Sequence, residues 1–183
     1  MRPPRDVDDL LALMAGADVF DEGEALDHLD HGLQCAAVLA ERHPDDAELQ
    51  VAGLLHDIGT VLVPGRVATH ARRGAATVAP ILGERVGRLV AMHVDAKRYL
   101  VTTDPAYRGL LSEGSIISLA DEGGAFGPDE VAAFEASADR DAAVSLRRAD
   151  DEAKVVGLRV PGLDRWEPVL RAVAARSGYV GST

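Results

Sequence analysis

Two adjacent side chains of the metal-binding type, His56 and Asp57, lie in an apolar stretch between Gly53 and Gly59. A buried imidazole or carboxylate is costly unless it is paired, hydrogen-bonded or bound to a cation. Four more side chains of these kinds are candidates, namely His31, His70, His93 and Asp150. Imidazole and carboxylate together favour Fe, Mn or Zn. Successive helix residues point about 100° apart, so His56 can bind one metal while Asp57 bridges it to a second.

Each histidine has a simpler structural role when it is considered alone. His43 precedes a proline and is predicted to be a solvated surface residue. His28 and His31 share one helix face, and their spacing does not decide which of them is a ligand. His93 follows an apolar run, where a lone histidine is more often a hydrogen-bonded core residue. The predicted metal site therefore depends on the whole set.

Helices are predicted almost throughout, because apolar residues recur at helical spacing and no convincing strand pattern is present. One helix is predicted from residue 21 or 22 to about Arg42. Another is capped by Asp45-Asp46 and ends at Gly59, and a loop over residues 60–66 follows. Ligands from four or five helices would meet in the core of a bundle. The predicted fold class is all-α.

The composition limits the possible partners. With 183 residues, of which 47% are apolar, we expect one domain over residues 1–183. The net charge of −11 argues against nucleic acid and anionic membranes, so a small anionic ligand would need a local basic pocket. No stretch approaches the length of a membrane span, and the first residues lack the apolar region of a signal peptide. The single cysteine, Cys35, excludes an internal disulfide, and we expect a cytoplasmic protein.

The order His, His-Asp, His, His, Asp, with His56-Asp57-Ile58-Gly59 in the middle, resembles the HD-domain superfamily. Most members of that superfamily are metal-dependent phosphohydrolases. Two longer segments, residues 29–35 and 93–100, are similar to those of HD-domain di-iron oxygenases that break carbon–phosphorus bonds. The resemblance covers roughly residues 20–172. It implies an HD-domain helical bundle with the metal site in its core.

The resemblance also implies a cofactor, a mixed-valent Fe(II)/Fe(III) pair, with O₂ as co-substrate. It favours His31 over His28 as a ligand. The first iron would have four protein ligands, His31, His56, Asp57 and Asp150. The second would share Asp57 as a bridge and add His70 and His93. Asp150 is preferred to Asp151 because it matches the family's Arg-x-x-Asp pattern at residues 147–150.

A small organophosphonate is the implied substrate. Lys97, one helical turn after the last histidine if that helix continues, matches the lysine that binds the phosphonate. Ser115 and Ser118, in a short helix predicted over residues 112–119, match positions that hydrogen-bond the phosphonate. Glu24, two helical turns before the first ligand, matches the acid that meets a substrate ammonium group.

Three positions depart from the enzyme of this family that cleaves aminohydroxyethylphosphonate. Asp21 replaces a tyrosine that reaches the iron, Thr60 replaces a histidine, and Glu122 replaces a glutamine. We expect Asp21 and Thr60 to contact the substrate, and the extra acids to suit a cationic group. The resemblance thus implies cleavage of a 1-hydroxy-2-aminoethylphosphonate-type substrate, with or without N-methylation. The products would be phosphate and a carboxylic acid such as glycine.

Two other functions are compatible with the same residues. A metal-dependent phosphohydrolase would use these ligands to activate water against a nucleotide or another phosphate ester. A degenerate HD domain would only bind a ligand or a partner. Dependence on O₂ and on a redox-active metal separates the oxygenase from the hydrolase.

Overall fold

The computed structural model describes residues 3–17, 26–65 and 67–178, and in this part of the chain the regular elements are helices, with no β-strand. The α-helices are α1 (Val7–Ala15), α2 (His28–Arg42), α3 (Ala47–Leu55), α4 (Ile58–Leu62), α5 (His70–Leu82), α6 (Glu84–Thr103), α7 (Glu113–Asp121), α8 (Pro128–Glu135), α9 (Arg140–Glu152) and α10 (Leu163–Arg176). Two short 3₁₀ turns cover Val67–Thr69 and Tyr107–Leu110. The predicted all-α class is confirmed.

Helix α3 is the centre of the bundle. Residues 49–55 are all buried, and the helix packs against α2, α6, α9 and α10. Asp46 caps α3 by accepting a hydrogen bond from the Leu49 N–H, and it also binds Arg85 of α6 through both carboxylate oxygens. The residues that follow α3 are therefore held by the core itself.

Helices α5 and α6 form a hairpin, because Gly83 alone separates them and they pack along each other. α6 is 20 residues long and carries both His93 and Lys97 without interruption. The helix therefore continues past His93, and Lys97 lies one helical turn after it. α9 packs against α6 and α2, so the end of α9 is brought to the same region of the core.

Two glycines let the histidine-bearing helices approach closely. A Cβ atom at Gly59 would lie 2.0 Å from the carbonyl oxygen of His70, and one at Gly32 would lie 2.5 Å from that of Leu54. Both obstacles are backbone atoms, which cannot rotate away as a side chain can. α4 therefore lies directly on the start of α5, and α2 on the end of α3.

The predicted start of the second helix is wrong. α2 begins at His28 and not at residue 21 or 22. Asp27 has an extended backbone, and its carboxylate accepts a hydrogen bond 2.7 Å long from the Asp30 N–H. This N-cap satisfies one of the free N–H groups of the first turn and thereby fixes the start of the helix.

The predicted end of the third helix is also wrong. His56 and Asp57 form a turn between α3 and α4, so they do not lie within one continuous helix that ends at Gly59. Asp57 has φ −96° and ψ 9°, the sparsely populated region in which many active-site residues are found. Thr60 lies in α4 and not in the predicted loop.

The main apolar core is built from α1 to α6, α9 and α10. Two smaller clusters flank it, one around Phe126 and Phe134 and the other around Tyr107 and Leu111. Among the described helices, none has both the length and the apolar composition needed to cross a bilayer. The single domain over residues 1–183 stays a prediction.

Candidate metal centre

The structure brings together the six side chains that the sequence singles out. Their positions are α2 for His31, the turn after α3 for His56 and Asp57, the first residue of α5 for His70, α6 for His93 and α9 for Asp150. Their nitrogen and oxygen atoms form two groups, within each of which they lie no more than 4.8 Å apart. The first group contains His31, His56 and Asp150, and the second contains Asp57, His70 and His93.

The Asp57 carboxylate lies between two pairs of histidines. Its Oδ2 atom is 3.2 Å from His56 Nε2 and 3.8 Å from His31 Nε2. Its Oδ1 atom is 3.3 Å from His70 Nε2 and 3.5 Å from His93 Nε2. Each oxygen thus faces a different pair, which is the arrangement that a bridging carboxylate requires.

Backbone carbonyl groups orient three of the four imidazole rings. The Nδ1 atoms lie 2.7 to 2.8 Å from carbonyl oxygens, in the pairs His31 with Ala153, His56 with Gly53 and His93 with Val90. A carbonyl oxygen can only accept a hydrogen bond, so Nδ1 carries the proton. The neutral ring then presents the lone pair of Nε2 to the centre of the cluster.

Such lone pairs converge in the first group. His31 Nε2 lies 3.2 Å from His56 Nε2, and Asp150 Oδ1 lies 3.2 Å from His31 Nε2. Acceptor atoms at these distances repel each other unless a proton or a cation lies between them. Imidazole nitrogen and carboxylate oxygen together are the donor set of first-row transition metals. The residues present therefore fit a metal ion.

The charges of the cluster oppose the effect of burial. Burial lowers the pKa of His56, but the carboxylates of Asp57 and Asp150 outweigh it and hold that pKa well above its usual value. Burial raises the pKa of Asp150, but Arg147 and the nearby histidines together outweigh it and hold that pKa well below the usual range. Burial first and the neighbouring histidines second hold the pKa of His93 well below its usual value. Ionised carboxylates and a neutral His93 are states that metal binding requires, whereas His56 would release its proton to a bound metal.

The structure distinguishes the two neighbouring acids near the end of α9. Asp150 faces His31, and Arg147 Nη1 holds its other oxygen at 2.8 Å. Asp151 points away from the histidines, where it binds Arg147 and accepts a hydrogen bond 2.5 Å long from Tyr107 Oη. Of these two acids, only Asp150 is placed to join the cluster.

The cluster is most open at its centre. The Asp57 side chain is 27% exposed, whereas those of the other five residues are at most 10% exposed. A small cavity next to Asp57 has a mostly apolar lining, which includes Met14, Leu54, Ile58 and Val61. Asp57 is therefore the most exposed of the six side chains.

Lys97 lies beside the cluster and is itself buried, with a side chain only 3% exposed. Its Nζ atom donates a hydrogen bond 2.8 Å long to Ser118 Oγ and forms an ion pair with Glu122. Burial first and the nearby Arg147 second lower the pKa of Lys97. The sequence grouped Glu122 with acids that suit a cationic substrate group, and that grouping is wrong in the structure because Glu122 is paired with Lys97.

Ser115 is buried between two cations. Its Oγ atom lies 3.3 Å from Arg147 Nη2 and 3.2 Å from Lys154 Nζ, and Lys154 Nζ also lies 3.1 Å from Ser112 Oγ. Arg147 has no predicted role beyond its motif, and Lys154 is not among the predicted site residues. The signal for Arg147 is its spacing of three residues from Asp150, which puts both on one helix face. Lys154 follows the end of α9, where no spacing rule applies.

Of three further residues that are predicted to contact the substrate, the structure describes only one. Thr60 is buried in α4, and its N–H donates a hydrogen bond 2.9 Å long to the carbonyl oxygen of Asp57, which stabilises the turn. Glu24 and Asp21 lie outside the described residues. The argument that placed Glu24 on the ligand-bearing face of α2 does not hold, because α2 begins at His28.

Comparison with known proteins agrees with this arrangement. Residues 26–122 match the HD domain family. The chain is 37% identical over 175 residues to the hydroxymethylphosphonate dioxygenase of Gimesia maris, in an alignment that covers 90% of this chain and 86% of that protein. It is 31% identical over 157 residues to the [1-hydroxy-2-(trimethylamino)ethyl]phosphonate dioxygenase (glycine-betaine-forming) of Leisingera caerulea, with coverages of 81% and 80%. The chain therefore belongs to the HD-domain family, and it is an oxygenase of the group that contains these two dioxygenases.

Proposed function

We propose that this protein is a di-iron oxygenase that uses O₂ to cleave the C–P bond of a 1-hydroxyphosphonate. The observation that carries the proposal is the Asp57 carboxylate, with one oxygen directed to each pair of histidines. This arrangement supports two metals instead of one, because a bridging carboxylate uses one oxygen for each metal. The names of both relatives support the use of O₂ on a phosphonate.

The proposed ligands divide between the two metals as the two groups of side chains suggest. One iron would be held by His31, His56, Asp57 and Asp150, and the other by Asp57, His70 and His93. When bound, such a metal pair would activate O₂ and provide open positions for the substrate. The chain binds Nδ1 of three rings to backbone carbonyl groups, which directs Nε2 of each ring toward the cluster, and Arg147 helps to keep Asp150 ionised.

The phosphonate would bind at the cations and hydroxyl groups next to the cluster. Lys97 is one helical turn beyond His93, so an anion on its ammonium group has its C1 atom close to the metals. Ser118 would add a hydroxyl group at the same end. Ser115, which contacts Arg147 and Lys154, would add a second one. Charge-assisted hydrogen bonds of this kind are the strong ones for oxyanions.

The substrate would be oxidised at C1, the carbon that carries both the hydroxyl group and phosphorus. For hydroxymethylphosphonate the products would be formate and phosphate, and both atoms of O₂ would be retained in them. The C–H and C–P bonds at C1 break and supply the four electrons that O₂ accepts. The apolar residues Met14, Ile58 and Val61 border the approach and would limit the access of water.

The candidate 1-hydroxyphosphonate substrates differ in the group that is attached to C1. Hydroxymethylphosphonate, which has no further group, is one candidate because the relative at 37% identity carries that name. The 2-amino and 2-trimethylamino substrates that the sequence predicts are the other candidates, and the relative at 31% identity supports the trimethylated one. Their contact with Glu24 stays a prediction.

The test is product formation by protein loaded with iron under O₂. Hydroxymethylphosphonate, 1-hydroxy-2-aminoethylphosphonate and its trimethylated form are supplied separately, and phosphate and the carboxylic acid are both measured. We expect one acid and one phosphate for each O₂ consumed. Matched reactions without O₂, and with zinc in place of iron, should give no product.

Two results would contradict the proposal. Failure to release phosphate from any of the three substrates would remove the C–P cleaving activity. Phosphate release from phosphate esters without O₂, supported by zinc or magnesium, would identify the phosphohydrolase alternative. Elemental analysis of the active protein should give close to two iron atoms per chain, and one iron atom at full activity would contradict the dinuclear site.

A further inference from the structure

A buried carboxylate is in contact with the lysine that the proposed substrate requires. The side chains of Lys97 and Glu122 are both 3% exposed, and Glu122 Oε2 lies against Lys97 Nζ. Glu122 directly follows the last residue of α7, and Ser118 lies one helical turn before it. Ser118 and Glu122 therefore reach Lys97 from the same element.

The Glu122 carboxylate is paired with Lys97. Within the part of the chain that the structure describes, its buried Oε2 atom contacts Lys97 Nζ and has no further hydrogen-bond donor. A ligand oxygen that binds Lys97 therefore comes close to a buried carboxylate. An O–H group on the ligand would donate to Glu122, whereas a ligand with only acceptor oxygens would place a second anion beside it.

We propose that Glu122 selects the protonation state of the ligand, so that the site binds a phosphonate as its monoanion. The inference rests on the proposed function, since it takes Lys97 as the phosphonate-binding group. One phosphonate oxygen accepts from Lys97, and the P–OH group of the monoanion donates to Glu122. The dianion lacks that proton and meets the Glu122 carboxylate as a like charge. Phosphate-type groups take up their second proton at a pH of about 6, so both states are available near neutrality.

Other charges near this pair come from α6 itself and from α8 and α9. Arg147 and Asp150 of α9 both act on the Lys97 ammonium group. Arg98 of α6 donates to the carbonyl oxygens of Gly123 and Gly124, next to Glu122, and binds Glu130 of α8. These charges can also influence how ligand binding depends on pH. A change in that dependence is therefore assigned to Glu122 only by comparing variants.

The test measures binding and does not need turnover. Methylphosphonate, which lacks the hydroxyl group that is oxidised, is titrated by calorimetry into iron-loaded protein kept free of O₂, at pH values from about 6 to 8. Glu122→Gln removes the charge with little change in shape, and Asp121→Asn is the matched control at the neighbouring exposed acid. Circular dichroism verifies that each variant is folded.

We expect the affinity of the original protein and of Asp121→Asn to fall by well over tenfold over this range, as the monoanion fraction falls from about one half to about one hundredth. Glu122→Gln should bind the dianion at least about tenfold more tightly than the original protein at the upper pH, because the like charge is gone. Equal pH dependence in Glu122→Gln and Asp121→Asn would overturn the inference.

A second probe covers the case in which Glu122→Gln does not fold. Methanesulfonate has the same shape and a single charge, but it has no proton to donate. The original protein should bind it at least about tenfold more weakly than methylphosphonate at pH 6, since one hydrogen bond is replaced by repulsion. Equal affinity would overturn the inference. These outcomes are independent of C–P cleavage, so a protein without that activity could still show charge selection, and an active one could lack it.

Discussion

At Asp57, two short oxygen-to-nitrogen distances on each side explain why one carboxylate serves two groups of imidazoles. Its Oδ1 and Oδ2 atoms face opposite pairs, and the turn at His56-Asp57 frees this side chain from the direction that a continuous helix would impose. Burial raises the pKa of Asp57, but His56 and His70 outweigh it and hold that pKa well below its usual value. The carboxylate is therefore ionised whenever it could bridge metals.

Replacement of Asp57 by Asn should release both metals. An amide presents one weak oxygen and an N–H₂ group, so it cannot bridge two cations. We expect the metal content, measured by elemental analysis after dialysis, to fall from about two atoms per chain to well below one. Asp45→Asn, which changes an exposed acid, is the control and should keep its full content. Retention of both metals by Asp57→Asn would disprove the bridging role.

Lys97 should cause a second loss of phosphonate binding, at a higher pH than the loss of the phosphonate monoanion. An ammonium group binds an oxyanion only below its pKa, and burial and Arg147 lower the pKa of Lys97. This second loss of affinity should therefore occur at a lower pH than for an exposed lysine. Arginine does not titrate in this range, so Lys97→Arg should remove this second limb of kcat/KM against pH and leave the first. An unchanged limb in Lys97→Arg would assign it to another group.

At the scale of the elements, the sequence predicted the composition of the cluster better than the boundaries of its helices. The identities of the six side chains follow from residue chemistry and from family resemblance, which do not depend on where a helix starts. The cap at Asp27 and the turn at His56-Asp57 depend on local hydrogen bonds and on close packing of the backbone. A spacing rule assumes continuous helices, so it could not find either feature.

Pairing between elements could not be predicted for the same reason. Lys97 and Glu122 lie 25 residues apart on two helical segments that meet only in the folded chain. The seven-residue spacing from Ser115 to Glu122 corresponds to about two helical turns, but it carries no information about Lys97. Whether the six clustered residues bind iron stays a prediction.

Asp46 should stabilise the centre of the bundle, because it joins the start of α3 to α6. It caps α3 and binds Arg85 through two oxygens at 2.7 Å. Asp46→Ala should lower the free energy of unfolding by about 1–2 kcal/mol in urea denaturation. The Arg85 hydrogen bonds hold the pKa of Asp46 below its usual value. This contribution is therefore present above the pKa of the unfolded chain and is lost as the pH falls through the lower folded pKa.

Asp45→Ala provides the control for that measurement, since Asp45 is exposed and precedes the cap. It should change the free energy of unfolding by less than about 0.5 kcal/mol. Equal effects of the two substitutions at pH 7 would exclude the cap and the ion pair as the cause.

Gly59 should be intolerant of a side chain because α4 rests directly on α5. A methyl group would lie 2.0 Å from the carbonyl oxygen of His70, and relief of that overlap must move the helices apart. Gly59→Ala should lower the free energy of unfolding by about 2–4 kcal/mol and also reduce metal content. Gly109→Ala adds the same group where no atom lies within 4 Å, and it should leave both quantities unchanged. Normal metal content in Gly59→Ala would show that the helices can separate without disturbing Asp57.

On the scale of the whole molecule, the cluster joins elements that are far apart in the sequence. His31 and Asp150 are separated by more than a hundred residues, and His31 Nδ1 also binds the carbonyl oxygen of Ala153. Four imidazoles and two carboxylates converge within a bundle whose other buried side chains are mostly apolar. A cation bound there would neutralise the carboxylates and remove the repulsion between lone pairs. Metal binding and global stability should therefore be linked.

Removal of the metals should lower the melting temperature of the whole chain. A ligand that binds only the folded state at about 100 times its Kd adds about 2.7 kcal/mol, which corresponds to about 5–10 °C for a chain of this size. Calorimetric scans of iron-loaded protein before and after a chelator should show this fall, and renewed addition of iron should reverse it. Asp57→Asn should melt at the same temperature with and without the chelator, because it has no bound metal to lose. An identical fall in Asp57→Asn would place the stabilising metal away from the Asp57 cluster.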